Sequence, residues 1–138
     1  MNASLPSVSV VMPVRNEERH LRAAVQRVLA QDYAGDFDVT LAVGPSRDAT
    51  ADVAEALAAE FANVHVVSNP SGSTPAGLNA AIGASSGEIV VRVDGHAMIP
   101  TDYVTRQCRP WIEPVRTTSA ASWRLRESVI SNVRWLPP

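Results

Sequence analysis

The chain has 138 residues, of which 46% are hydrophobic, with one cysteine and a net charge of −2 at pH 7. This length and composition are typical of a single globular domain, and they exclude a wholly disordered chain and an intrachain disulfide. The longest early apolar run, residues 8–14, is too short to span a bilayer, and no basic segment precedes it. We therefore expect no transmembrane segment and a cytoplasmic location, with the inner face of the membrane as the alternative.

The charge is distributed unevenly along the chain. Residues 1–103 contain 12 acidic residues and 6 arginines, whereas residues 104–138 contain 2 acidic residues, 6 arginines and all three tryptophans. This change in composition predicts two parts: a folded unit over 1–103 and a tail over 104–138. A basic tail with aromatic anchors is one interpretation of the second part, as an arm that binds a membrane surface or nucleic acid.

The first part alternates between strand-like and helix-like segments. Four apolar, β-branched runs predict strands at residues 7–13, 38–43, 64–67 and 88–93. The segments between them predict helices, because repeated strand–helix–strand units form right-handed crossovers. We therefore expect an α/β fold with a parallel four-stranded sheet. In such sheets ligands bind at the carboxyl ends of the strands.

The helix boundaries are predicted from residue types that cap helices. The expected N-caps are Asn16, then Asp48 or Thr50, and finally Thr74 followed by Pro75. Apolar residues recur at helical spacing over residues 21–29, which predicts the buried face of the first helix. Gly87 is the expected end of the third helix.

The segment Asp94-Gly95-His96 follows the last predicted strand. Residues at i and i+2 on an extended chain point to the same side, so Asp94 and His96 can both face one ligand. A carboxylate there can hold a divalent cation that neutralises a diphosphate, and an imidazole ligand favours manganese over magnesium. The alternative is that Asp94 caps a turn and His96 is an ordinary loop residue.

Three other features at the same rim can carry chemistry. Residues 69–79 form a glycine- and serine-rich loop that opens a helix and can present N–H groups to phosphate, although it matches neither a dinucleotide motif nor a P-loop. Asp48 is either a helix cap or a ligand to a ribose or base. Arg92, inside a strand, needs a partner or an exit to the rim, where it can lie near phosphate.

Taken in order, these segments resemble the family 2 glycosyltransferases, which have the GT-A fold. The opening strand VSVVMPVRNEE leads into a helix ending VLAQDY, and a Ser-x-Asp-x-Thr turn follows at residues 46–50. An Asn-x-x-Gly…Leu-Asn segment begins at Asn69, and the series ends at Asp94-Gly95-His96. Most of the family has Asp-x-Asp at this last position and paired acids where this chain has Gly44 and Pro45. These departures resemble the subgroup of succinoglycan-biosynthesis transferases.

The resemblance implies inverting transfer of a sugar from a nucleotide-diphosphate sugar to a hydroxyl of a carbohydrate or lipid-linked acceptor. It also implies which residues bind the nucleotide sugar: Pro13, Asn16, Glu17, Asp48 and Asp94. The same resemblance assigns Asp94 and His96 to a divalent cation, Mn²⁺ or Mg²⁺. In this family the general base is an aspartate well beyond the metal motif, and we expect it to lie beyond this chain.

The tail does not follow the family pattern, and we interpret it as a reading frame that shifted near residues 104–105. Back-translated and read one base earlier, residues 116–127 give ADNVGGVMAAAG, which looks like the stretch that follows the metal motif in this subgroup. The chain is then a truncated transferase that is inactive alone and whose sheet has an uncovered edge. We expect no nucleic-acid partner. The alternatives are a non-catalytic nucleotide-binding fragment and a basic-tailed interaction protein.

Overall fold

The computed structural model describes residues 5–112 and 133–134. Its strands are β1 (Val8–Val14), β2 (Phe37–Val43), β3 (Val64–Ser68), β4 (Ile89–Arg92) and β5 (Val133–Arg134). Its helices are α1 (Leu21–Leu29), α2 (Thr50–Glu60), α3 (Thr74–Ala84) and α4 (Tyr103–Ile112). Most of the predicted tail, residues 113–132 and 135–138, lies outside the described residues.

The strands form one sheet in the order β3-β2-β1-β4-β5, in which β1 to β4 are parallel. This arrangement confirms the predicted α/β fold with a parallel four-stranded sheet. The register pairs Val14 with Val43 and Val43 with Ser68, so β1, β2 and β3 end at the same level. The loops that follow these strands therefore lie side by side at one rim.

The central strand β1 is buried on both faces because helices cover each side of the sheet. Val10 and Met12 point into the larger core, to which α1, α2 and α4 contribute buried residues. Val11 points to the opposite face, where it packs in a smaller cluster with Ala81 of α3. Residues that alternate along β1 thus serve two cores, which explains why the strand is apolar throughout.

Helix α4 was not predicted from the sequence. Val104 and Cys108 lie one helical turn apart, and both are fully buried in the larger core. The backbone N–H of Val104 donates to Gln31 Oε1 at 2.8 Å, which ties α4 to the end of α1. The boundary at residue 103 and the out-of-frame origin of residues 104–138 nevertheless remain predictions.

The expectation that the sheet edge beyond β4 is uncovered was wrong at two positions. Strand β5 pairs antiparallel with β4, with Arg134 opposite Val90 and Val133 opposite Val91. At this edge, the backbone groups of Val90 and Val91 are thus paired by a short segment near the end of the chain.

All three predicted helix caps were wrong. Helix α2 begins at Thr50 with Ala49 as its N-cap and no side-chain cap hydrogen bond, where Asp48 or Thr50 was expected. Helix α1 begins at Leu21, one turn later than an Asn16 cap requires, and Asn16 adopts a left-handed φ of 54°. Its Oδ1 accepts a hydrogen bond from the N–H of Arg47, in the loop after β2, instead of capping α1. Helix α3 is capped by Ser73, whose Oγ accepts from the N–H of Ala76 at 3.3 Å. Sequence alone did not separate Ser73 from the adjacent Thr74, because either residue type can cap a helix.

Gly87 does not end a helix. Helix α3 ends at Ala84, and Gly87 lies against the start of β1, where its N–H donates to Ser9 Oγ at 2.9 Å. A Cβ at this position would approach the Ser9 nitrogen to 2.5 Å. The glycine is required here by the close approach of two backbones, not by the geometry of a helix end.

Candidate functional site

A cleft of about 250 Å³ opens where β1 and β4 end and where α3 begins. Five charged or ionisable side chains line it: Arg15, Glu17, Arg92, Asp94 and His96. Pro13 lies in the same wall. Residues 72–74, which end the loop before α3 and begin the helix, form the other wall. The cleft therefore combines carboxylates, guanidinium groups and the first residue of a helix within one polar space.

The side chains of Glu17 and His96 meet in this cleft. Glu17 Oε2 lies 2.7 Å from His96 Nδ1, and the exposed fraction of the Glu17 side chain is 17%, against 64% for His96. The hydrogen bond to Glu17 raises the pKa of His96, because the carboxylate stabilises the protonated ring. When the ring is neutral with its proton on Nδ1, Nε2 carries the free lone pair.

Asp94 lies beside this pair and is half-exposed. Its Oδ1 accepts from Arg92 Nε at 3.2 Å and from Arg92 Nη2 at 3.1 Å. Arg92, for which the sequence showed no partner, therefore pairs with Asp94, the next carboxylate along the chain, at the rim of the sheet. The pair places one anionic and one cationic group at the mouth of the cleft.

Hydrogen bonds hold the backbone of Glu17 as well as its side chain. Its N–H donates to Thr50 Oγ1 at 2.8 Å, and its carbonyl oxygen accepts from the N–H groups of His20 and Leu21. A Cβ on Gly95 would come within 3.2 Å of Glu17 Cγ, so the absence of a side chain at Gly95 allows this packing.

The loop between β3 and α3 is shaped by a buried asparagine. Asn69 Nδ2 donates to the Ser73 carbonyl oxygen at 2.9 Å, and the N–H of Gly72 donates to the Asn69 carbonyl oxygen at 3.0 Å. Gly72 has a φ of 72°, which favours glycine, and it lies against Gly44 and Arg15. Gly72, Ser73 and Thr74 thus line the cleft where α3 begins. In the first turn of α3, the N–H groups of Ala76 and Gly77 already donate to Ser73, and Pro75 has no N–H.

The structure brings Pro13, Glu17, Asp94 and His96 together in the cleft. Two other predicted site residues, Asn16 and Asp48, stand outside its lining and connect the loops after β1 and β2. Asp48 Oδ1 accepts from the N–H of Thr50 at 3.0 Å, and Oδ2 accepts from the N–H of Glu18 at 3.3 Å. The hydrogen bond from the Thr50 hydroxyl, the largest of several causes, lowers the pKa of the Asp48 carboxyl.

Sequence reasoning missed two contributors to the site. Arg15 lines the cleft, and its Nε donates to the Pro45 carbonyl oxygen at 3.2 Å, so it joins two loops. Thr50 was weighed only as a helix cap, although its hydroxyl reaches across to Glu17. The Ser-x-Asp-x-Thr spacing was the signal available for Thr50, but its partner Glu17 lies in the loop after another strand, β1.

The donor set at the cleft suits a divalent cation bound together with a phosphate ligand. Within residues 5–112 and 133–134, no group of three or more His, Cys, Asp or Glu side chains is arranged to hold a metal ion. Asp94 and His96 can offer one oxygen and one nitrogen donor to a cation, and Glu17 hydrogen-bonds the ring of His96, as carboxylates commonly do with metal-binding histidines. Cations of the Mg²⁺ type often take one or two protein ligands and complete their shell with phosphate and water.

In the described part of the chain, no helix is both long and apolar enough to cross a membrane.

The chain is similar to curated proteins and to solved structures. It is 31% identical over 116 residues to the succinoglycan biosynthesis protein ExoA of Rhizobium meliloti (strain 1021), which covers 82% of this chain and 34% of that protein. It is 29% identical over 97 residues to the glycosyltransferase AglE of Haloferax volcanii, covering 69% of this chain and 32% of that protein. The chain thus spans about a third of the length of these relatives.

Among solved structures, the mannosyltransferase PcManGT from Pyrobaculum calidifontis, in complex with GDP-Man and Mn²⁺, superposes with a TM-score of 0.69. The two are 23% identical, and the match covers 92% of this chain and 40% of that one. The S. aureus protein TarS (1-349) in complex with UDP gives a TM-score of 0.66 at 23% identity, covering 75% of this chain and 31% of that one. These likenesses confirm the predicted GT-A fold.

The family comparison covers nearly the whole sequence. Residues 9–136 match the family model described as Glycosyl transferase family 2. With the GT-A fold and the likeness to the succinoglycan biosynthesis protein, this match confirms the family expected from the motifs. The chain belongs to glycosyl transferase family 2.

Proposed function

We propose that the described part of the chain binds the nucleoside diphosphate of a nucleotide-diphosphate sugar, together with a divalent cation. The observation that carries this proposal is the Asp94–His96 pair at the end of β4, with Glu17 Oε2 at 2.7 Å from His96 Nδ1 inside a polar cleft. The solved structures with GDP-Man and Mn²⁺ or with UDP, which share the fold, support the same ligand class.

Each group in the cleft has a distinct part in this binding. The Asp94 carboxylate and the His96 ring hold the cation, which when bound neutralises charge on the diphosphate. The guanidinium groups of Arg15 and Arg92 add positive charge at the rim, where they can pair with phosphate oxygens. Pro13 forms part of the wall against the nucleotide.

We further propose that the complete protein transfers the sugar, with inversion, to a hydroxyl of a carbohydrate or lipid-linked acceptor. Inversion in one displacement needs a base on the acceptor side to take the proton of the attacking hydroxyl. We place that base beyond the 138 residues and expect this chain to bind the donor without completing the transfer. The likeness to a succinoglycan biosynthesis protein supports a polysaccharide acceptor.

Titration calorimetry of the 138-residue chain with UDP and with GDP tests donor binding. We expect one of the two to bind in the presence of MnCl₂ or MgCl₂ and binding to be lost on addition of EDTA. Absence of binding for both nucleotides with either metal would contradict the proposal. Binding that is unaffected by EDTA would support the nucleotide part of the proposal and contradict the cation part.

The coding DNA across codons 100–138 and beyond tests the account of the tail. We expect another frame to continue into GADNVGGVM and onward to an acidic residue that can act as the base. Absence of such a frame would show that residues 104–138 are a genuine segment. The basic-tailed interaction protein would then be tested by salt-sensitive binding to anionic vesicles.

A further inference from the structure

The loops after β1 and β2 are joined by a reciprocal set of hydrogen bonds. Glu18 N–H donates to Asp48 Oδ2 at 3.3 Å, and Ala49 N–H donates to Glu18 Oε1 at 3.1 Å. Two residues earlier, Asn16 N–H donates to Ser46 Oγ at 3.0 Å, and its Oδ1 accepts from Arg47 N–H at 2.8 Å. Four hydrogen bonds therefore join the two loops, and Asn16, with its left-handed φ, is held through both its N–H and its side chain.

Thr50 occupies the centre of this set. It is fully buried, and its hydroxyl donates to Asp48 Oδ1 while it accepts the N–H of Glu17 at 2.8 Å. A threonine hydroxyl can serve as donor and acceptor at once, so one buried group links the start of α2 to the residue whose carboxylate faces the cleft. The lowered pKa of Asp48 fits its part as the charged acceptor in this link.

From Glu17 the connection continues to the ligand side of the cleft. The carboxylate of Glu17 contacts His96 at 2.7 Å, while its Cγ packs against Gly95. The orientation of the His96 ring therefore depends on where Glu17 lies, and the position of Glu17 depends on the Thr50 hydroxyl.

We propose that Thr50 is a positioning residue: its buried hydroxyl fixes Glu17, and through Glu17 the ring of His96, for binding of a cation and diphosphate. The effect on ligand affinity rests on the proposed function, whereas the effect on His96 can be measured without any ligand. If Thr50 served only to stabilise the start of α2, its substitution would lower the stability of the chain without changing the orientation of the His96 ring.

Paired substitutions separate the hydroxyl of Thr50 from its shape. Thr50→Val keeps the branched shape and removes the hydroxyl, whereas Thr50→Ser keeps the hydroxyl and removes the methyl group. Thr105→Val is the matched control, because Thr105 Oγ1 donates to Asp32 Oδ1 at 2.6 Å, on a helix residue outside the cleft lining. The ligand-free readout is the ¹⁵N resonance of His96 Nδ1 at one fixed pH, beside the melting temperature of each variant.

We expect Thr50→Val to shift the His96 Nδ1 resonance and to weaken binding of UDP or GDP with MnCl₂ about tenfold. Thr50→Ser should keep the His96 Nδ1 resonance and the nucleotide affinity near those of the unmodified chain. Thr105→Val should lower the melting temperature without shifting the His96 Nδ1 resonance. A folded Thr50→Val variant with an unchanged His96 resonance would overturn the proposal. If the unmodified chain binds neither nucleotide but the resonance shifts as expected, the proposed function fails and the positioning role stands.

Hydrogen exchange keeps the proposal testable if Thr50→Val does not fold. In the unmodified chain, the Glu17 N–H should be protected although it lies in a loop, because the buried Thr50 hydroxyl accepts it. Exchange of the Glu17 amide at the rate of a free loop amide would contradict the proposal.

Discussion

Glu17 and His96 are separated by 79 positions in the chain, yet their side chains meet at 2.7 Å. Glu17 follows β1 and His96 follows β4, and these strands are parallel neighbours. The contact is therefore a consequence of topology: a crossover that returns the chain beside its first strand brings a carboxylate and an imidazole to the same rim.

Gly95→Ala should disturb this contact. Its Cβ would lie 2.8 Å from Val14 Cγ1 and 3.2 Å from Glu17 Cγ, so Val14 and Glu17 have to shift, and we expect the Glu17–His96 contact to loosen. We expect the affinity for UDP or GDP with MnCl₂ to fall about tenfold, since a group that orients a metal ligand is displaced. Calorimetry measures the change, and an affinity equal to that of the unmodified chain would show that the Glu17–His96 contact does not serve binding.

Gly87→Ala and Gly83→Ala form a matched pair for stability. At Gly87, a Cβ would lie 2.5 Å from the Ser9 nitrogen and 2.8 Å from the Val8 carbonyl carbon, so we expect a loss of about 1–3 kcal/mol in the free energy of unfolding. At Gly83, inside α3, a Cβ meets nothing within 4 Å, and alanine should add about 0.5–1 kcal/mol. Urea unfolding gives both values, and equal effects of the two substitutions would contradict the packing of β1 against Gly87.

The reactivity of Cys108 tests whether α4 packs on the core. The thiol is fully buried, and burial raises its pKa to about 12, so almost no thiolate is present at pH 8. We expect a thiol reagent such as dithionitrobenzoate to react slowly with the folded chain and rapidly after addition of urea. Rapid labelling of the folded chain would show that the residues just beyond position 103 do not join the fold.

Asp48 should make the stability of the chain depend on pH. Because its pKa is lower in the folded chain than in the unfolded chain, the Asp48 carboxylate stabilises the fold above its ordinary pKa of 3.8. That stabilisation is lost as the pH falls through the lowered, folded value. We expect Asp48→Asn to destabilise the chain at neutral pH, and the difference from the unmodified chain to shrink in acid. A difference in melting temperature that stays constant or grows with acidification would contradict this assignment.

The sequence predicted the sheet well because its signals are local. Apolar β-branched runs such as residues 8–14 are legible without partners, and all four parallel strands were located to within about two residues. Helix α4 was missed because its pattern rests on Val104 and Cys108, only two buried positions in a segment rich in arginine. Such a short pattern stands out only when the core that it covers is known.

The candidate site was predictable in part. Pro13, Glu17, Asp94 and His96 were named from motifs and meet in the cleft. Asn16 and Asp48 were named for the nucleotide, but their side chains bind the backbone of a neighbouring loop. No spacing along the chain distinguishes a side chain that binds a ligand from one that binds a neighbouring loop, because both kinds of side chain occur in the loops that follow the strands.

Titration of the Asp94→Ala variant tests whether the cleft binds the cation and the diphosphate. Asp102→Ala is the control, because Asp102 and Asp94 are half-exposed to a similar degree, 48% and 50%, and each pairs with an arginine, at 3.3 Å and 3.1 Å. We expect Asp94→Ala to abolish manganese-dependent binding of UDP or GDP, while Asp102→Ala binds like the unmodified chain. An affinity of Asp94→Ala equal to that of the unmodified chain would contradict the assignment of the cation and diphosphate to this cleft.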